Sequence, residues 1–206
     1  MGKKEALQSW EKYCDMHNAG EDFSQFNFAP SIAEGDIFRF NARYSFFREF
    51  QAISLSNYNE STSRAYSQMM KLTLLWGVLE SNMNVTGETR SDFDNSYNPT
   101  RLSSLLATIS TSDIYAIYRF IQNADGTNST HQRHLEEFIQ GNSFGLTYLV
   151  SAVRNSFAHG VLTPHSGSKK PTVMASLCES LIDFYIPVIE AEFNGLVDSH
   201  PNSANY

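Results

Sequence analysis

A chain of 206 residues is long enough to close one hydrophobic core and short for two independent ones. Apolar residues at 41% and aromatics at 13% exclude a disordered chain, and a formal charge of −7 excludes broad, sequence-independent binding along nucleic acid, so any contact with RNA has to be local. Two distant cysteines, Cys14 and Cys178, without C-x-x-C spacing, suggest neither a disulfide framework nor a zinc site and read as core thiols.

Helical periodicity recurs along the chain while two-residue alternation is rare, so the expected class is all-α, an up-down helical bundle with extra short helices. A first helix is expected over 3–18, with Leu7, Trp10 and Cys14 at helical spacing, followed by an irregular stretch over 20–35. Residues 1–37 therefore read as an N-terminal helical appendage and residues 38–206 as the bundle. From about 38 to 55, Tyr44, Phe47, Phe50 and Ile53 share one stripe, and the polar run 57–63 supplies a cap for a longer helix over 63–84. That helix is apolar on more than one face, through Met69, Leu72, Leu75, Trp76 and Leu79, which marks the centre of the bundle. Glu80, one turn from Trp76, reads there as a buried or half-buried carboxylate in need of a partner. A structural ion pair is the default, and a hold on Arg154 the sharper alternative.

Polar residues 85–99 read as a long loop, with short helices after it around Leu102 to Ile109 and over 112–123. A polar break at 126–129 precedes another helix with Leu135, Phe138 and Ile139. His131 and His134, with Glu136 and Glu137 beside them, could pair on a metal, but the spacing matches no metalloprotease motif and a solvated helix face is the simpler reading. Tyr44, Tyr115, Tyr118 and Tyr148, at helical spacing, read as core in preference to a base-stacking platform. The next helix is expected from a cap at Asn142 or Ser143 to about His159, and the last over 172–196, where Pro187 removes the backbone bond to Asp183 and should bend it. With only short apolar runs, such as residues 74–79, and no secretory pattern, a cytoplasmic protein without a membrane partner is expected.

Between the last two helices lies Arg154-Asn155-Ser156-Phe157-Ala158-His159-Gly160. Gly160 suits the left-handed conformation that closes a helix, which puts His159 at or near the C-cap. On a regular helix Asn155 and His159 share a face at i, i+4, whereas Arg154 and His159 stand about 140° apart. Convergence of the two needs the helix to unwind near Ala158, the arginine to reach around, or a second chain to complete the site. Cleavage of RNA through its 2′-hydroxyl needs a base, an acid and cations for the phosphate, and this segment holds one histidine. A C2 homodimer would bring two copies of Arg154, Asn155 and His159 to one cleft, with neither metal nor cofactor required. The bland reading pairs Arg154 with an internal carboxylate and leaves His159 as a cap.

The segment resembles the HEPN superfamily, helical bundles marked by Arg, often followed by Asn, and four to six residues later by His, often followed by Gly. Arg154, Asn155, His159 and Gly160 match each of those positions, and the placement at a helix end before a loop and a last long helix is similar. The resemblance spans about residues 38–196 and implies a metal-independent endoribonuclease of a toxin–antitoxin, defence or RNA-processing system, with RNA as substrate, a homodimeric composite site and an antitoxin protein as a possible partner. It implies proton transfer by His159, phosphate binding by Arg154 and orientation by Asn155. Val161 stands where members paired with nucleotidyltransferase antitoxins carry Tyr, so control by adenylylation there is not implied. The superfamily also holds non-cleaving members, so a helical adaptor or a nucleotide- or RNA-binding module is the alternative.

Overall fold

Polar caps and apolar stripes divide the chain into helices, and the computed structural model describes residues 6–124 and 129–206. Among these, every regular element is helical: α1 (Trp10–Asn18), α2 (Glu34–Glu49), α3 (Glu60–Thr86), α4 (Arg90–Asn95), α5 (Pro99–Ile109), α6 (Ser112–Gln122), α7 (Ser129–Gln140), α8 (Leu146–Ala158) and α9 (Pro171–Asp198), with short 3-10 turns at Phe23–Gln25, Ser166–Ser168 and Ser203–Asn205. The all-α expectation holds for the described residues. Gly126, Thr127 and Asn128 of the expected polar break, and residues 3–5 of the expected first helix, lie outside them.

The breadth of apolar surface on α3 is explained by its position. It starts at Asn59, whose side chain accepts from the Thr62 N–H, and it packs against α9, α2 and α8. Met69, Leu72, Leu75 and Leu79 are fully buried there, each stabilising the fold by about 1.5–3 kcal/mol through apolar burial. Directions follow from paired contacts. Arg64 meets Glu179 and Asn82 meets Glu192, so α3 and α9 run the same way. Tyr66 meets Phe157, while Trp76 and Tyr148 share the Arg90 guanidinium, so α8 runs opposite to α3.

Several boundaries differ from expectation. Before residue 38, Leu7, Tyr13, Met16 and Phe26 are buried in the same apolar cluster as α3 and α9, and Trp10 and Tyr13 pack on Phe38 and Phe193. The irregular stretch returns the chain through Phe23, Phe26 and Phe28, whose rings stack on one another, and Ala29 donates to the Val85 carbonyl at 2.8 Å. α2 ends at Glu49, six residues short of 55, because Phe50 turns extended and the Ile53 N–H is taken by Ser67 Oγ at 3.1 Å. The supposed loop 85–99 contains α4, opened by a reciprocal Thr89–Asp92 capping box and fastened by the buried ring of Phe93.

α9 continues through Pro187. The Asp183 carbonyl, which a proline four residues on cannot engage, accepts instead from Arg101 Nη2 at 3.3 Å. α9 is also the one described helix long and apolar enough to cross a membrane by length and composition, and half of its most apolar window is buried inside the protein. Cys178 is buried and Cys14 half-buried, both as free thiols.

Candidate functional site

α8 carries Arg154, Asn155 and His159, and both of its ends are held by groups that fix its register. It begins at Leu146 with Gly145 as N-cap, three residues after Asn142 and two after Ser143, the expected caps. The cap function comes from another element. Asp94, at the end of α4, accepts from the Thr147 N–H at 2.9 Å and from Thr147 Oγ1 at 2.6 Å, while the Gly145 N–H donates to His134 Nδ1 at 3.0 Å. Two of the N–H groups at the start of the helix are thereby satisfied without a local side chain. Burial raises the Asp94 carboxyl above the usual carboxylate range, and the Thr147 and Tyr97 donors oppose that shift.

At the other end the geometry matches the reading of Gly160. His159 is the C-cap, with its N–H on the Asn155 carbonyl at 3.0 Å, and Gly160 has φ 72. The Gly160 N–H returns to the Phe157 carbonyl at 3.0 Å and the Val161 N–H to the Ser156 carbonyl at 2.9 Å, which together make a Schellman motif. Leu162, 1% exposed, anchors the chain just beyond. The helix is therefore regular through Ala158, and unwinding there is not how Arg154 and His159 approach.

The arginine does bend. Arg154 Nη1 donates to Asn155 Oδ1 at 2.8 Å, which draws the guanidinium toward the face that Asn155 shares with His159. Its Nε is buried without an acceptor, and no carboxylate among the described residues pairs with it. Glu80, expected to be buried or half-buried with a partner, is exposed at the surface of α3. One turn from Trp76 on a helix buried on most sides, it occupies the remaining outward strip. His159 is exposed, and among the described residues it makes no side-chain hydrogen bond to Arg154 or Asn155. One chain thus presents at one helix end a half-buried guanidinium that pairs with no carboxylate among the described residues and an exposed imidazole, with no hydrogen bond between them.

His131 and His134 fall on α7 against α8. His131 Nε2 lies 2.7 Å from Ser151 Oγ, and the His134 ring stacks on Tyr148 at 3.9 Å. Burial first, then neighbouring positive charge, lowers the proton affinity of both. No group of three or more His, Cys, Asp or Glu suited to a metal occurs among the described residues. Tyr44 and Tyr118 are fully buried, as core readings require, whereas Tyr148 is only half-buried.

Sequence reasoning missed Arg90. Its guanidinium lies over the Trp76 ring at 4.5 Å and the Tyr148 ring at 5.1 Å. Its signal was the cationic position at the start of a capping-box helix, inside a stretch read as loop. No family model matches the chain, and no curated protein or solved structure is similar to it.

Proposed function

We propose that the chain is a metal-independent endoribonuclease of HEPN type, an up-down helical bundle that works in the cytoplasm as a homodimer with a composite site built from Arg154, Asn155 and His159 of both protomers. The observation that carries this reading is the state of Arg154 and His159. Arg154 is bent onto Asn155 and pairs with no carboxylate among the described residues, and His159 is exposed at a capped helix end. Arg64, by contrast, is held in an ion pair with Glu179 at 2.6 Å.

In the proposed reaction a base removes the proton of the ribose 2′-hydroxyl and the 2′-oxygen bonds to phosphorus. The bond to the 5′-oxygen breaks as an acid protonates that oxygen. The products are a 2′,3′-cyclic phosphate and a 5′-hydroxyl end. The two copies of His159 serve as base and acid, and Arg154, oriented by Asn155, stabilises the charge on the phosphate. An antitoxin protein that covers the site is the partner this reading admits. Purified protein should cut single-stranded RNA in EDTA, and His159→Ala should abolish the cutting. Equal cutting by both would overturn the assignment, and inactivity of the unsubstituted protein would favour a non-catalytic, RNA- or nucleotide-binding adaptor.

A further inference from the structure

Tyr148, Asn155 and His159 recur at seven and four residues along α8, within about 40° of one another, so they form a single stripe. Tyr148 at its N-terminal end is half-buried, and Asn155 and His159 at the other end are half-buried and exposed. Tyr148 touches an unusual set of neighbours. Arg90 lies over its ring, His134 stacks on it, and His131 meets it edge-on with centroids 5.4 Å apart.

Arg90 is fixed by flat groups on α3 and α8, Trp76 and Tyr148, and no carboxylate or hydrogen-bond acceptor among the described residues engages it. Stacking on rings holds the plane of a guanidinium while leaving its edge N–H groups for an oxyanion. His131 lies close enough for the Arg90 charge, after burial, to oppose its protonation. It bonds Ser151, which sits one turn before Asn155 on the same helix.

We propose that Arg90, held by Trp76 and Tyr148 beside His131, is a second phosphate-binding position for the strand cleaved at Arg154 and His159. The inference rests on the ribonuclease reading for the nature of its ligand. Seven residues of helix separate Tyr148 from Asn155 by about 10 Å, within the reach of a short stretch of single-stranded RNA. The strand is held at one phosphate by Arg154 and at another, farther along, by Arg90. This gives an acidic protein a local track for RNA without a broad basic face, because only two arginines have to meet the backbone.

The test is binding of 5′-labelled RNA by fluorescence anisotropy to the full chain carrying His159→Ala, which removes turnover. Arg90→Gln and Arg90→Lys are added separately, and thermal unfolding of each verifies its fold. Arg90→Gln should weaken binding of a hexanucleotide roughly tenfold, the loss of one charge-assisted contact, and make the salt dependence shallower by about 0.7 in log–log slope. Binding of a dinucleotide, too short to span both positions, should stay unchanged, and Arg90→Lys should recover part of the loss. Equal hexanucleotide affinity in a folded Arg90→Gln protein would overturn the proposal, even if the unsubstituted protein cuts RNA. An Arg90-dependent affinity in a protein that never cuts would uphold this site and remove the catalytic reading instead.

Discussion

In the proposed site Asn155 acts through the single bond it accepts. By taking Arg154 Nη1 at 2.8 Å it sets where the guanidinium sits relative to His159. Asn155→Ala should therefore leave thermal stability within about 1 kcal/mol, the net value of one hydrogen bond, while lowering the rate of RNA cleavage by roughly ten- to a hundredfold through misplacement of the arginine. Unchanged cleavage with normal stability would show that Asn155 orients nothing. Glu192 offers a test at a residue outside the site. Burial pushes its carboxyl up to about 7, the Asn82 amide that donates to it opposes that shift, and the charge of Glu88 acts in the same direction as burial. The folded protein then binds this proton more tightly than the unfolded chain does. The stabilising contribution is complete below the ordinary carboxylate range and is lost as pH rises through about 7. Glu192→Gln keeps an amide in place of the protonated carboxyl and should flatten that dependence. In urea unfolding the variant should gain on the unsubstituted protein by about 2–3 kcal/mol between pH 5 and pH 8. An identical loss in both proteins would place the titration elsewhere.

Helix by helix, what could be read from the chain was what depends on neighbours in sequence. The end of α8 was legible because Gly160, with φ 72, answers a local demand for left-handed backbone. The start was not legible, because Gly145 is required by Asp94, about fifty residues away, and by Tyr148. A Cβ at Gly145 would run into the Asp94 carboxylate and come within 2.8 Å of Tyr148 Cδ2. Gly145→Ala should thus cost about 1–3 kcal/mol by overpacking, whereas Gly160→Ala, with nothing within 4 Å of the added carbon, should cost only about 1 kcal/mol of backbone strain. Urea denaturation of the two variants separates these values, and the reverse order would contradict the cap geometry. α4 carried a readable capping box at Thr89 and Asp92, obscured by the polar residues around it. Glu80 was misplaced because its spacing from Trp76 does not say which strip of a nearly enclosed helix remains outside. Nor could spacing show that Arg101 would satisfy the carbonyl freed at Asp183.

At the scale of the whole molecule, packing of α8 between α3 and α7 leaves its last turn and His159 at the surface. One protomer provides one exposed His159 and one Arg154 that pairs with no carboxylate among the described residues, half of what the proposed reaction needs. The most direct test is a distance between two copies. A spin label on Ala158→Cys, exposed beside His159, in a Cys14→Ser background with Cys178 left buried, reports how close the motif ends approach in solution. The expected result is a dimer by sedimentation with one short, narrow label-to-label distance that vanishes on dilution with unlabelled protein. A monomer at concentrations where RNA is cleaved, or a dimer whose labels lie at opposite ends, would contradict the composite site.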